Sequence, residues 1–179
     1  MSTEDDARPA ARLTLLAGPA GAGKDSVIEL IRARSPVLWV SVAMTTRARG
    51  PYEVDGTRLF VDADEFEALI AAGGLLEWDR YAGHLHGTPR QPVQTRLRAG
   101  QPVLLSLDLP GARRVRAAMP GSRLVYLVPP GAVPPAGQPH DGAEIDRVVV
   151  NDFVERAAEE LVGLLGSSFL TPAQPRTGG

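Results

Sequence analysis

The sequence contains no cysteine and a single lysine. Without cysteine there is no disulfide framework, no thiolate nucleophile and no cysteine-based metal site. Aromatic residues make up only 5%, and no apolar run approaches the length needed to cross a bilayer. A net charge of −2 over 179 residues gives no bulk electrostatic case for binding nucleic acid or an anionic membrane. Met1 to Arg12 is acidic and polar, where a secretory signal would be basic and then apolar, so the cytoplasm is the expected location. With 44% apolar and 22% charged residues, the composition fits one globular domain able to bury a core.

The scarcity of lysine points to chemistry. Eighteen of the nineteen basic residues are arginine, and the one lysine, Lys24, closes a glycine-rich loop. A compact ammonium enters a tight cradle of phosphate oxygens for which a planar guanidinium is too wide. Gly18-Pro19-Ala20-Gly21-Ala22-Gly23-Lys24 matches the first seven positions of G-x-x-x-x-G-K-[ST], between an apolar run at Leu13 to Ala17 and a helical pattern starting at Lys24. There the backbone amides curl around phosphates, the helix N-terminus adds its positive end, and Lys24 reaches the β and γ phosphates. Gly18 to Ser26 is therefore the expected ATP-binding segment. Asp25 stands where a hydroxyl normally meets Mg²⁺, with Ser26 next. Two readings of Asp25 remain open: a hard oxygen ligand to Mg²⁺, direct or through water, or a surface carboxylate favoured in a first helical turn.

Apolar runs at Val37 to Val42, Leu59 to Val61, Leu75 to Trp78, Pro102 to Asp108, Arg123 to Val128 and Val148 to Val150 read as strands. Between them Glu65 to Ala72, Pro92 to Arg98, Gly111 to Met119 and Phe153 to Leu165 read as helices, with Asp62 or Asp64 and Asp152 as caps. The alternation predicts an α/β fold with a P-loop NTPase-type parallel sheet flanked by helices. Residues 1–11 read as a flexible leader, 12–166 as the domain and 167–179 as a disordered tail. Arg47 and Arg49 share a polar loop suited to anions. Asp108 ends a strand, where α/β folds place ligand-facing groups. His84 and His86 lack a third ligand, which argues against a metal site there. Arg113, Arg114 and Arg116 read as a solvated basic face, and Trp39 and Trp78 as core.

Thr45-Thr46-Arg47, Glu53-Val54-Asp55-Gly56, Phe60-Val61, Leu76-Glu77-Trp78, Gly87-Thr88-Pro89, Leu107-Asp108 and Val148 to Asp152, in this order after the P-loop, resemble the guanylate kinases. The resemblance implies a core, a small inserted acceptor-binding region at about residues 43–89, and a lid carrying arginines. It implies Mg²⁺-dependent in-line transfer of the ATP γ-phosphoryl group to GMP. Lys24 and Arg47 would be catalytic, Arg47 by gripping the acceptor phosphate. Glu77 and Asp108 would accept from the guanine N1–H and exocyclic amine, because carboxylates are acceptor-only and that edge is a donor pair. Thr88 would stand near guanine O6, and Asn151 near the adenine of ATP.

Several positions depart from the family pattern. A base-binding serine appears as Ala43, and the first carboxylate of an Asp-x-Asp pair as Ser106. The second phosphate arginine is displaced to Arg49, with Gly50 in its usual place, and two phosphate-binding tyrosines appear as Arg58 and His86. Both replacements still donate to phosphate. Residues 129–144 occupy the place of the helix–lid–helix segment, with five prolines and no arginine. The lid is thus expected to be truncated to a loop, with Arg147, or an arginine from another subunit, as a substitute. Three functions follow: a GMP kinase, a weak or inactive nucleotide-binding module, and a kinase for a modified nucleotide or sugar phosphate. The expected partners are ATP and a nucleoside monophosphate, without nucleic acid or membrane; the oligomeric state is left open.

Overall fold

The structure, a computed structural model, describes residues 13–135 and 145–167. The expected leader, residues 136–144 of the loop expected in place of a lid, and the expected tail from 168 onward lie outside the described residues. In chain order the elements are β1 (Leu13–Ala17), α1 (Lys24–Arg34), β2 (Trp39–Val40), β3 (Ala43–Thr45), β4 (Arg58–Phe60), α2 (Ala63–Ala71) and β5 (Leu75–Tyr81). They continue with β6 (His84–Pro89), α3 (Arg90–Arg98), β7 (Val103–Ser106), α4 (Leu109–Ala118), β8 (Arg123–Val128), β9 (Arg147–Val150) and α5 (Val154–Ser167).

Among the described residues the strands form two sheets. The larger has the order β2-β7-β1-β8-β9, with every neighbouring pair parallel. Its central strands are apolar on both faces because helices cover both. On one face Leu13, Leu15 and Ala17 of β1 join Val93 and Leu97 of α3 and Ala112 and Val115 of α4. On the other, Leu16 joins Val27 and Ile31 of α1 and Ala157 and Leu161 of α5. Since all five strands run the same way, their C-terminal ends share one edge. That edge carries the loop after β1, Asp108 after β7 and Asn151 after β9, the usual ligand edge of an open α/β sheet. No described helix is long and apolar enough to cross a membrane.

The smaller sheet, ordered β4-β3-β6-β5, carries α2 on one face. Asp62 caps α2 by accepting from the Glu65 amide at 2.8 Å. Phe66 of α2 is fully buried against Met44, Leu75 and Leu85. This cluster is small, so Phe66 carries much of it. Phe66→Ala is expected to lower unfolding stability by about 3–5 kcal/mol, read from the urea midpoint at an unchanged m-value. Paired residues share a face, so the registers Ala43↔Arg58, Thr45↔His86, Asp79↔His86 and Glu77↔Thr88 put these side chains together on the face away from α2.

Two strand expectations and one burial expectation are corrected. The run Val37 to Val42 is not one strand: β2 covers only Trp39–Val40 in the larger sheet, and β3 begins at Ala43 in the smaller one. The chain crosses between sheets there, which hydropathy cannot mark because both segments are apolar. The other strand correction concerns β5, which extends to Tyr81 and turns back into β6, a hairpin absent from the hydropathy pattern. Its two-residue loop, Ala82-Gly83, has φ of 50° and 81°, the left-handed pair typical of a type I′ turn. Alanine in the first of these positions hides a turn that Asn-Gly would advertise. Trp78, read as core, is 42% exposed.

Candidate active site

The P-loop follows β1 and enters α1 through Gly23, whose φ of 82° suits only glycine without strain. A Cβ there would also lie 2.4 Å from Asn151 Nδ2. Asn151 donates this nitrogen to the Ala22 carbonyl at 2.8 Å, bracing the loop from the end of β9, while its Oδ1 is buried without a hydrogen-bond partner. No side chain caps α1, which leaves its first-turn amides open to an anion. Lys24 Nζ donates to the carbonyls of Gly18 at 2.7 Å and Pro19 at 3.1 Å. Burial pushes the Lys24 ammonium below its ordinary pKa, against the opposing pull of Asp25 and Asp108. Asp25 and Ser26 are exposed on the first turn of α1.

Two cavities meet beside this loop. One, of about 330 Å³, is lined by Glu77, Asp79, His86, Thr88 and Asp108 among others. The second, of about 560 Å³, runs from Asp25 and Ile28 of α1 to Glu53 and Arg58. Ala43 and Ser106 line both, so the two form one cleft between the sheets. In the first, Thr88 Oγ1 donates to Glu77 Oε1 at 2.7 Å. Asp108 caps α4 by accepting from the Gly111 amide at 2.7 Å. Gly111 lies between the two acids: a Cβ on it would stand 2.8 Å from Asp108 Oδ1 and 3.4 Å from Glu77 Oε2. Burial pushes the Glu77 carboxyl up; Thr88 and Arg114 oppose this, while Asp79 and Asp108 reinforce it. His86 is pushed down by burial and by Arg58, with Asp79 opposing, which favours neutral imidazole at pH 7.

The arginines divide. Arg47 is engaged by Glu53 through two hydrogen bonds, Nη1 to Oε2 at 2.9 Å and Nη2 to Oε1 at 2.6 Å, with its guanidinium 5.5 Å from the Phe60 ring centre. The Arg47 bond and the Gly50 amide hold the Glu53 carboxyl at about 2, so the pair stays intact well into acid. Arg49 turns to the Glu53 carbonyl at 2.7 Å and to Asp55 at 2.5 Å. The Arg58 side chain lines the larger cavity and makes no hydrogen bond or ion pair to a described residue. Arg147, anticipated as a lid substitute, is instead bonded to Glu160 of α5 at 2.9 and 3.1 Å. It starts β9, whose other end meets the P-loop, and the strand length of about 10 Å separates the two. The structure does not bring Arg147 to the P-loop.

Arg114 stands out as a residue the sequence did not mark. Read as part of a solvated face, it stands 3.6 Å from Glu77 and 3.5 Å from Asp79, two acids that line the smaller cavity. The signal that could have found it is its place three residues, about one turn, after Gly111, the α4 residue that lies between Asp108 and Glu77.

A phosphate-binding loop at the head of a parallel sheet, opening into an acid-lined cleft, defines a P-loop kinase fold. Residues 10–134 match the family model described as guanylate kinase. The guanylate kinase of Thermobifida fusca is 55% identical over 120 residues, covering 66% of this chain and 61% of that protein. That of Frankia casuarinae is 44% identical over 176 residues, covering 86% and 96%, and that of Streptomyces coelicolor 44% over 186, covering 89% and 91%. The chain belongs to the guanylate kinase family. The crystal structure of guanylate kinase from Anaplasma phagocytophilum shares the fold, with a TM-score of 0.69 at 23% identity over 88% of this chain and 86% of that one. The Streptomyces alignment, at 186 positions, is longer than this 179-residue chain, so that relative carries residues with no counterpart here.

Proposed function

We propose that the protein transfers the γ-phosphoryl group of ATP to a nucleoside monophosphate, with GMP as acceptor. One observation carries the reading: the first turn of α1, directly after the Lys24 loop, and a carboxylate pair suited to the guanine donor edge line a single cleft, joined at Ala43 and Ser106. Asp108 ties the halves together electrically, because its charge acts on both Lys24 and Glu77.

In this mechanism the amides of Gly18 to Gly23 and of the first turn of α1 bind the donor phosphates. Lys24 exchanges the Gly18 and Pro19 carbonyls for phosphate oxygens. Arg47 holds the acceptor phosphate, assisted by Arg49, by Arg58 across the larger cavity, and by His86 as a neutral donor. Glu77 and Asp108 accept from the guanine N1–H and amine, with Thr88 beside them. Catalysis is positioning plus charge neutralisation, without a covalent intermediate. Asn151 holds the loop in place through Ala22, and its unpartnered Oδ1 is available to the donor base. Mg²⁺ fits: Asp25 puts one carboxylate beside the loop, and this ion is commonly held by one or two carboxylates together with phosphates and water. No group of three acids or histidines able to hold a metal occurs among the described residues, so the ion would arrive with the nucleotide. When bound it would supply positive charge that neutralises the nucleotide phosphates. With ATP and GMP as substrates, we place the protein in the cytoplasm.

The pairing of Arg147 with Glu160 favours one second reading, a nucleotide-binding module with little turnover. We propose that residues 129–144 stand in place of a lid, a reading supported by the longer Streptomyces relative. A panel of nucleoside monophosphates with ATP and Mg²⁺ decides the function. Turnover on GMP and not on AMP, CMP or UMP is expected. GMP binding without turnover on any acceptor supports the module, and turnover confined to a non-guanine acceptor overturns the GMP assignment.

A further inference from the structure

Glu77 sits in an unfavourable place for a charge. Its side chain is only 8% exposed, and Asp79 on its own strand and Asp108 at the start of α4 add negative potential. A carboxyl so placed tends to take up a proton. A protonated Glu77 would present an O–H to a base edge that itself offers N–H groups, and one of its acceptor sites would be lost. The groups facing it from the neighbouring elements are Thr88 and His86 on β6 and Asp108 and Arg114 on α4. Thr88 already occupies Oε1. Among these neighbours Arg114 is the cation within ion-pair reach, and it also reaches Asp79.

The geometry of Arg114 suits electrostatic support without competition. At 3.6 Å from Oε2 its nitrogen is beyond a normal hydrogen bond, so the lone pairs of Oε2 remain free for a ligand while the positive charge still acts. The same nitrogen lies 3.5 Å from Asp79 Oδ2, so its charge is shared between the two acids. The side chain is 42% exposed and reaches in from the rim, leaving the cavity to the base.

We propose that Arg114 is a positioning residue of the acceptor-base site, keeping Glu77 as an ionised double acceptor for a guanine-type donor edge. This rests on the reading of Glu77 and Asp108 as the base-contacting pair. Arg114 touches neither base nor phosphate; it acts through Glu77. Affinity for GMP is therefore lost as pH falls through the Glu77 pKa in the free protein, and removal of Arg114 moves that loss to higher pH.

The test is GMP binding by calorimetry on the full chain from pH 5.5 to 8.5, for the parent, Arg114→Met, Arg114→Lys and Glu77→Gln. Arg114→Met is expected to raise the pH midpoint of affinity loss by about one unit, with Kd about tenfold weaker below that midpoint. Arg114→Lys restores most of the parent profile, and ATP affinity is unchanged in both. Thermal midpoints verify that the variants fold. A parent-like midpoint in Arg114→Met overturns the proposal, as does an equal loss at every pH that lysine does not rescue. If Glu77→Gln binds GMP like the parent, the base-contact reading fails too. If Glu77→Gln weakens GMP while Arg114→Met keeps the parent midpoint, only the role of Arg114 falls.

Discussion

Lys24→Met is expected to lower kcat on the order of a thousandfold while the protein remains folded. Methionine keeps the length and apolar stem of lysine but removes the charge that would meet the developing phosphate oxygens. In the structure the ammonium rests on the Gly18 and Pro19 carbonyls, so those oxygens lose a donor. The cost of that loss to stability is about 1–2 kcal/mol, because the Gly18 carbonyl belongs to a buried residue. The loss in kcat is thus much larger than the structural perturbation explains. Lys24→Arg provides the sharper control. If a compact ammonium is required, arginine recovers little activity although the charge is preserved. Coupled-assay kcat values, with ATP affinity by calorimetry, check both variants. Parent-like turnover in Lys24→Met would remove the P-loop from the mechanism.

Arg47→Met is expected to reduce kcat/KM for the acceptor on the order of a hundredfold, the worth of a lost charge-assisted, two-pronged contact to phosphate. A second effect adds to it. Glu53, held ionised at about 2 by Arg47 and the Gly50 amide, would be left beside the acceptor phosphate without its partner. Two like charges then repel. Adding Glu53→Gln to Arg47→Met is expected to recover about tenfold of the loss, a coupling that independent sites would not show. Steady-state kinetics with GMP varied at saturating ATP measures it. Equal losses in the single and double variants would show that Glu53 does not face the acceptor phosphate. The same ion pair shows what acceptor binding must do: the guanidinium has to share or release Glu53 to take up phosphate.

How much of this was legible beforehand depends on how local each feature is. The P-loop could be read because its glycines, its lysine and the flanking strand and helix are contiguous, and the backbone conformation at Gly23 follows from residue type. β1 and β8 were legible to the residue, as short apolar runs bounded by turns. The β5–β6 hairpin was not. Its cleft face alternates Glu77, Asp79 and Tyr81 against Thr88, His86 and His84, which reads as polar chain until it is known to line a cavity. The division of Val37 to Val42 was also hidden, since two sheets accept the same apolar residues.

The sequence alone determined that a phosphate cradle sits between a buried strand and a helix, and that its only lysine belongs there, because both depend on neighbours along the chain. Only the tertiary structure decided which charges meet. It took Arg147 to Glu160 and away from the P-loop, joined Arg47 to Glu53, and brought Arg114 beside Glu77 from 37 positions further along. Arginine can pair with any acid within reach, and reach is set by sheet register and helix packing, which no local pattern encodes.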